Sequence, residues 1–261
     1  MGYEDIVYEK KEGIARVTIN RPKVLNSFRL KTLEEMTEAV EDASNDGTIG
    51  VIVMGGAGGK AFCAGGDIAE MRELSPTTGR IFLMKLFRLF AQMRAAPKPF
   101  IASVNGYCLG GGNEINLVCD LSMATESSQF GQVGPMVGSI PVLAGTQILP
   151  RLTGDKKAKE IIFLCQRYSA REAMEMGWIN RVVPDGELEK ETEAWCRRIL
   201  EMSPQSIRIS KLSMNYESDH LYASYMHGIE ILASTYGSPE LVEGMTAFLE
   251  KRKPNFSAFR K

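Results

Sequence analysis

The 261-residue sequence predicts an α/β fold with an all-helical extension at its C-terminal end. Three features indicate this class. Up to about residue 143, short apolar runs typical of buried strands alternate with helical patterns. Two of those runs lead into glycine-rich loops. Beyond that point nearly every segment has the apolar periodicity of a helix.

The N-terminal elements follow from alternation and periodicity. Residues 14–20 (IARVTIN) alternate apolar and polar side chains, which predicts a strand, with residues 6–9 as its hairpin partner across Gly13. Apolar side chains recur at helical spacing in residues 30–45, which predicts an amphipathic helix. The apolar run at residues 50–54 (GVIVM) predicts a strand that is buried on both faces.

The later elements are assigned in the same way. Residues 80–95 predict a helix that ends before Pro97 and Pro99. Residues 100–104 (FIASV) predict a second buried strand, and residues 121–124 predict a further one. The predicted helices of the C-terminal part cover residues 143–152, 155–166, 170–177, 186–202, 204–216, 220–236 and 239–252.

Composition argues against several classes of function. The net charge of −1 gives no field that would recruit nucleic acid, and no apolar run approaches the roughly 20 residues needed to span a membrane. The five cysteines are odd in number and form no CxxC pair, which predicts reduced thiols and a cytoplasmic protein. With only two histidines, a Ser-His-Asp triad or a multi-histidine metal site is not expected.

The motifs that can carry chemistry are two glycine-bearing loops, each following a predicted buried strand. The first covers residues 60–68 (KAFCAGGDI) and the second covers residues 105–114 (NGYCLGGGNE). Triple glycine at the start of a helix leaves free backbone N–H groups at the positive end of the helix dipole, which suits an anion or a developing oxyanion. Tight turns and close helix–sheet packing are the alternative explanation for either loop alone.

Together the two loops resemble those of the crotonase family, which contains the enoyl-CoA hydratases and isomerases. That family carries a Phe-x-Ala-Gly-x-Asp loop and a Gly-Gly-Gly-x-Glu loop, which residues 62–67 (FCAGGD) and 110–114 (GGGNE) match at a similar separation. Further matches follow in order at residues 20–26, 119–121, 130–132, 138–139, 170–177 and 243–254. The resemblance therefore covers nearly the whole chain.

The resemblance implies a fold, a substrate and an assembly. It implies a crotonase-like spiral of ββα units over residues 1–200 and a C-terminal helical trimerisation region over residues 201–261, so we expect self-association into trimers or dimers of trimers. The implied substrate is an acyl-CoA thioester. Coenzyme A is then part of the substrate, and no tightly bound cofactor is expected.

The resemblance also implies the site residues. The backbone N–H groups of Ala64 and Gly111 would form an oxyanion hole for the thioester, and Glu114 would act as the general acid or base. The alternative role for Glu114 is that of a charge partner for the helix dipole. The residues expected to contact substrate or coenzyme A are Ala61, Gly65, Gly66, Asp67, Ile68, Tyr107, Leu109, Gly110, Gln132, Gly134, Ser139, Tyr236 and Lys251.

One departure from the hydratase pattern is important. The second catalytic glutamate of hydratases falls at position 134, which is glycine here. Residues 131–139 (GQVGPMVGS) are instead similar to the subgroup that contains 1,4-dihydroxy-2-naphthoyl-CoA synthase and 2-ketocyclohexanecarboxyl-CoA hydrolase. In those synthases the pocket at Gln132 and Gly134 can hold bicarbonate in place of the missing carboxylate. Binding of a substrate carboxylate and packing in a tight turn are the alternatives here.

The remaining positions give a mixed pattern. Pro141 replaces the aspartate that the subgroup uses after Gly138 and Ser139. Tyr236 and Lys251 match positions that in the synthases approach the ring substrate and the coenzyme A phosphates. The sequence thus predicts an acyl-CoA hydro-lyase of the enoyl-CoA hydratase type, with an alicyclic or dienoyl-CoA as the hypothetical substrate. A ring-forming or ring-opening acyl-CoA enzyme and a non-catalytic thioester-binding protein are the alternatives.

Overall fold

The computed structural model describes residues 2–260, which form two sheets surrounded by helices. Its strands are β1 (Ile6–Lys11), β2 (Ile14–Ile19), β3 (Val51–Gly56), β4 (Ala61–Cys63), β5 (Phe100–Val104), β6 (Tyr107–Leu109), β7 (Leu121–Thr125), β8 (Gln129–Gly131), β9 (Tyr168–Ser169) and β10 (Arg181–Val183). Its helices are α1 (Leu30–Asn45), α2 (Ile68–Arg72), α3 (Pro76–Ala95), α4 (Gly111–Val118), α5 (Leu149–Thr153), α6 (Asp155–Leu164), α7 (Ala170–Glu175), α8 (Leu188–Leu200), α9 (Pro204–Asp219), α10 (Tyr222–Thr235) and α11 (Pro239–Leu249).

The larger sheet has the strand order β1-β2-β3-β5-β7-β10. β1 and β2 form the predicted antiparallel hairpin, and all later neighbours in this sheet pair in parallel. The central strands β3 and β5 are apolar because both faces of the sheet are covered. On one face Val51, Val53 and Ile101 pack against α8, and on the other Ile52, Met54 and Phe100 belong to the main core with the smaller sheet. The predicted α/β fold of ββα units with C-terminal helices is confirmed.

The smaller sheet, in the order β4-β6-β8-β9, arises inside the glycine-bearing segments. Its first three strands are three residues long, too short to show an alternating pattern, so the sequence did not predict them. Each follows a strand of the larger sheet after a turn, which produces the repeated ββα unit. Cys63 and Cys108 are register partners of β4 and β6, so the two glycine loops leave this sheet side by side.

Helices close the molecule around one main hydrophobic core. α1 contributes Leu33, Met36 and Val40, all without solvent exposure, and packs against α3. Within the C-terminal region, α10 packs against α3 and α11 packs against α2 and the short 3-10 helix Gly134–Val137. The C-terminal helices therefore contact the α/β core of their own chain.

The predicted helix over residues 143–152 is wrong for its first half. Only α5 is helical there, and residues 142–148 form turns. Ala144 adopts a left-handed conformation with φ of +84°, which interrupts a helix, and Pro150 stands in the first turn of α5. The predicted helix over residues 80–95 begins earlier, at Pro76, because Ser75 provides an N-cap with a capping box.

Within residues 2–260, no helix is long and apolar enough to cross a membrane.

Candidate active site

The two glycine loops are in direct contact. A Cβ atom on Gly65 would lie 3.2 Å from the backbone nitrogen of Gly111, and one on Gly112 would lie 2.1 Å from the carbonyl oxygen of Cys63. Gly65 also has a φ of +105°, which side chains disfavour. Glycine is thus required because the main chains of the loops approach each other more closely than side chains permit.

The backbone N–H groups of Gly66 and Gly111 have no acceptor among residues 2–260. Phe28 donates to the carbonyl of Gly65 at 2.9 Å and accepts from the N–H of Asp67 at 2.8 Å, so this pairing turns the N–H of Gly66 away from Phe28. Gly111 is the first residue of α4, and its N–H therefore has no acceptor within the helix. Both glycines line the same cavity, and such N–H groups can stabilise negative charge there.

The N–H of Ala64 differs from the expectation. It donates to the carbonyl of Leu25 at 3.1 Å and is therefore occupied within the protein. The sequence motif correctly indicates the position of the first glycine loop. The direction of each N–H group in that loop depends on how the loop pairs with residues 25–28. Ala64 still lines the cavity beside Gly66.

Glu114 is the acidic side chain of this cavity. It lies in α4, one turn after Gly111, and only 6% of its surface is exposed. Its Oε1 atom accepts hydrogen bonds from the N–H groups of Leu143 at 2.9 Å and Gly145 at 3.1 Å. Burial raises the pKa of Glu114 to about 8, although these two hydrogen bonds act in the opposite direction. A carboxyl group with this pKa can both accept and return a proton near neutral pH.

The wall of the cavity is mostly apolar. Its apolar side chains include Phe28, Ile68, Met71, Phe82, Leu83, Leu86, Leu109, Val142, Leu143, Leu232 and Phe248. They come from the α/β core and from the C-terminal helices α10 and α11, so both parts of the chain shape the cavity. Such a wall suits a hydrocarbon chain or ring.

A small number of polar side chains also line the cavity. Gln132 is completely buried, and neither its amide oxygen nor its amide nitrogen has a hydrogen-bond partner within residues 2–260. The hydroxyl of Tyr236 is likewise buried without a partner, and burial raises its pKa. Ser139 and Gly134 lie on the same wall. Unpaired buried polar groups are costly, so these positions favour a ligand with polar atoms.

Some of the expected site residues lie outside the cavity. Asp67 caps α2 through the N–H of Ala69 at 3.1 Å and forms a 3.0 Å ion pair with Arg21. Ala61 is buried in β4, and Lys251 is exposed at the end of α11. Tyr107 does not line the cavity itself. The guanidinium of Arg167, which does line it, lies 5.0 Å from the centre of the Tyr107 ring.

Sequence reasoning missed two features of the site. Arg167 lines the cavity but carries no motif that would distinguish it from other exposed arginines. The N–H groups of Leu143 and Gly145 reach Glu114 from a turn that the sequence predicted as a helix. Gly145 was the available signal, because a glycine within a predicted helix lowers the probability of that helix. Within residues 2–260, no three or more His, Cys, Asp or Glu side chains are grouped so that they could hold a metal ion.

The repeated ββα units and the cavity between the two glycine loops place this protein in a class of α/β enzymes. Comparison with known proteins then identifies its family. The profile of the enoyl-CoA hydratase/isomerase family matches residues 9–259. The chain therefore belongs to this family, also called the crotonase family. It is an enzyme of that family, whose members act on acyl-CoA thioesters and typically need no tightly bound cofactor.

Solved structures agree with this assignment. An enoyl-CoA hydratase from Mycobacterium avium subsp. paratuberculosis K-10 has a TM-score of 0.89 and 28% identity, with coverage of 98% of this chain and 99% of that one. An enoyl-CoA hydratase/isomerase from Xanthobacter autotrophicus Py2 has a TM-score of 0.88 and 33% identity, covering 95% and 94%. An enoyl-CoA hydratase from Bacillus anthracis has a TM-score of 0.79 and 30% identity, covering 97% and 98%. These comparisons give no evidence for the naphthoyl-CoA synthase subgroup that residues 131–139 resemble.

Proposed function

We propose that the protein is a hydro-lyase that adds water to the double bond of an enoyl-CoA thioester. The observation that carries this proposal is the arrangement of one cavity. Two N–H groups without acceptors, those of Gly66 and Gly111, line it together with the buried carboxyl group of Glu114. We propose Gly66 rather than Ala64 as the partner of Gly111, because the N–H of Ala64 is occupied by Leu25.

The proposed chemistry uses both features. The carboxylate of Glu114 accepts a proton from water as the water oxygen bonds to the β-carbon, and negative charge moves onto the thioester oxygen. The N–H groups of Gly66 and Gly111 stabilise that enolate, at about 3–4 kcal/mol for a single donor in comparable sites. The protonated Glu114 then delivers the proton to the α-carbon. The same carboxyl group thus acts as base and acid, as position 134 supplies no second carboxylate.

The substrate belongs to the acyl-CoA class, and the acyl group remains a proposal. The apolar wall supports a hydrocarbon group, including an alicyclic or dienoyl one. We propose that the coenzyme A portion runs along the first loop and the strand before the second, past Gly65, Ile68, Leu109 and Gly110. Asp67 supports that loop, and contacts to Tyr107 and Lys251 near the cavity belong to the same proposal, whereas Ala61 is buried in β4 and is proposed to support the loop from within.

Self-association into trimers or dimers of trimers also remains a proposal. Large apolar side chains are exposed on the surface of α9 and α6, including Ile209, Leu212, Met214, Tyr216, Phe163 and Leu164. Large apolar side chains that are exposed in this number on two helices support an interface between subunits. The region over residues 201–261 would provide part of that interface, in addition to its contacts with its own core.

A second function has one observation in its favour. The amide of Gln132 is buried in the cavity without a partner, next to the glycine at position 134. Bicarbonate or a carboxylate of the substrate would satisfy that amide. A ring-forming or ring-opening acyl-CoA enzyme is therefore the second candidate, and it would use the same oxyanion donors.

Mass spectrometry of acyl-CoA products distinguishes the two candidates. The purified protein is incubated with crotonyl-CoA, cyclohex-1-ene-carbonyl-CoA, a cyclic dienoyl-CoA and o-succinylbenzoyl-CoA, with and without bicarbonate. The hydro-lyase proposal predicts the gain of one water by at least one of the enoyl substrates, independent of bicarbonate. Formation of naphthoyl-CoA with the enoyl substrates unchanged would contradict it and favour the second candidate.

A further inference from the structure

The turn that binds Glu114 has a strained residue at its centre. Leu143 and Gly145 donate their N–H groups to Glu114, and Ala144 lies between them with a φ of +84°. Residues other than glycine rarely adopt this conformation, because Cβ then approaches the backbone too closely. A strained residue persists only where its surroundings hold it, so something must hold Ala144.

The side chain of Gln147 makes the contact that can hold it. Its Oε1 atom accepts the N–H of Ala144 at 3.1 Å, and its Nε2 atom lies 3.5 Å from the carbonyl oxygen and 3.4 Å from the hydroxyl of Ser224 in α10. Gln147 is only 6% exposed and does not line the cavity. It therefore connects the turn to α10 without reaching the substrate.

We propose that Gln147 is a positioning residue, which holds the Leu143–Ala144–Gly145 turn in the one conformation that directs two N–H groups at Glu114. This inference rests on the proposed function of Glu114 as acid and base. The N–H of Ala144 donates to Gln147, whereas those of its two neighbours donate to Glu114. By accepting the N–H of Ala144, Gln147 holds the turn so that the N–H groups on either side of Ala144 remain directed at Glu114.

Removal of this acceptor has a predictable electrostatic effect. The two N–H groups stabilise the ionised form of Glu114 and oppose the effect of burial on its pKa. If the turn relaxes, that opposition weakens and the pKa of Glu114 increases further. The other titratable side chains that share this environment are Tyr225 of α10, whose own pKa is raised by burial, and Arg167 and Tyr236 in the cavity wall. None of them is changed by a substitution at position 147.

The test uses three variants. Gln147→Met keeps the volume of the side chain and removes the acceptor. The double variant Gln147→Met with Ala144→Gly removes the need for the acceptor, because glycine adopts a positive φ without strain. Gln92→Met is the matched control, since Gln92 is a partly buried glutamine of α3 whose amide oxygen has no partner and which does not line the cavity.

Infrared difference spectroscopy measures the protonation of Glu114 directly, from the band of a buried protonated carboxyl group that is absent in Glu114→Gln. We expect the titration midpoint to move upward by about one pH unit in Gln147→Met, which is a tenfold change in the ionisation equilibrium. It should return toward the wild-type value in the double variant and stay unchanged in Gln92→Met. An unchanged midpoint in Gln147→Met, or no recovery in the double variant, would overturn the proposal.

The design separates this inference from the proposed function. The infrared titration needs no substrate, so it reports on Gln147 even if the reaction is a different one. Where turnover is measured below the pKa of Glu114, which is about 8, kcat should fall about tenfold in Gln147→Met while KM stays constant, because Gln147 does not touch the cavity. Full activity of the Glu114→Gln variant would instead contradict the proposed function, in which Glu114 is the acid and base. If Gln147→Met does not fold, folding of the double variant with a wild-type midpoint supports the proposal, and failure of both to fold refutes it.

Discussion

Glu114 accepts a hydrogen bond of 2.9 Å from the backbone N–H of Leu143, which lies 29 residues further along the chain. The contact joins α4, which begins in the second glycine loop, to an irregular turn next to the C-terminal helices. The turn thereby fixes Oε1 of the carboxylate, and only Oε2 stays available for reaction. A fixed carboxyl group with one free oxygen is suited to transfer a single proton between two positions of a bound substrate.

The activity for hydration should increase with pH. Hydration begins with the carboxylate form of Glu114, and burial raises the pKa of this group to about 8. Below that pH most molecules carry the protonated form, so kcat/KM should rise tenfold per pH unit up to about pH 8 and then level off. A pH profile of hydration in the wild type checks this. A profile that is flat from pH 6 to pH 9 would contradict Glu114 as the base.

The same pKa makes a prediction for stability. A carboxyl group whose pKa is higher in the folded than in the unfolded protein favours folding at low pH, and its contribution is lost as the pH rises through its folded pKa. Compared with wild type, Glu114→Gln should therefore become relatively more stable between pH 5 and pH 9, by a difference of about 2–4 kcal/mol. Denaturant unfolding at both pH values measures this difference. If the substitution changed the free energy of unfolding equally at the two pH values, Glu114 would have an ordinary pKa.

The contact between the two loops should tolerate no side chain at position 112. A Cβ atom there would lie 2.1 Å from the carbonyl oxygen of Cys63, so Gly112→Ala must displace the first loop and the N–H of Gly66. We expect kcat to fall by about 100-fold or more, which corresponds to the loss of one oxyanion donor. Gly47→Ala is the matched control, since a Cβ atom there meets nothing within 4 Å. Similar activity of both variants would contradict the role of the loop contact.

The buried amide of Gln132 should reduce the stability of the protein without substrate. Neither of its polar atoms has a partner within residues 2–260. Gln132→Met removes these groups at nearly constant volume, so the free energy of unfolding should increase by about 1–2 kcal/mol. Chemical denaturation without substrate measures the change. A decrease would indicate that the amide makes hydrogen bonds in solution.

The C-terminal region should depend on one buried lysine for its attachment to the core. Lys211 of α9 forms a 2.8 Å ion pair with Asp120 and donates to the carbonyl oxygens of Met93 and Lys98. Lys211→Met leaves Asp120 without its charged partner, with the N–H of Phe100 as its remaining donor, and should destabilise the protein by about 3 kcal/mol. The control is Lys190→Met, since Lys190 is exposed and forms an ion pair with the exposed Glu187 three residues earlier. Equal thermal stability of the two variants would contradict this attachment.

Prediction from sequence succeeded where the pattern is local and periodic. The strands at residues 14–20, 50–54 and 100–104 were recognisable because each contains several consecutive apolar or alternating residues. The short strands β4 and β6 were not, because three residues carry no period. They form only when parallel neighbours from distant parts of the chain supply their hydrogen bonds.

Prediction of the site was limited in a similar way. The motifs indicated two loops, and the structure shows that residues of both, including Gly111 and Glu114, line one cavity. They did not indicate that the N–H of Ala64 is used by Leu25, because that depends on how residues 25–28 pair with the loop. The turn at Ala144 was predicted as a helix, since no local pattern indicates its left-handed conformation or its hydrogen bonds with Gln147 and Ile148.

The hydration rate of Glu114→Gln is the measurement that tests the central claim most directly. The substrate is the enoyl-CoA that wild type hydrates fastest, and Gln92→Met serves as a folded control. Loss of the acid and base should reduce kcat by about 100- to 10,000-fold, while the apolar wall and the N–H groups keep KM within a few-fold of wild type. A Glu114→Gln enzyme with the wild-type kcat would contradict the account, because proton transfer would then belong to another group.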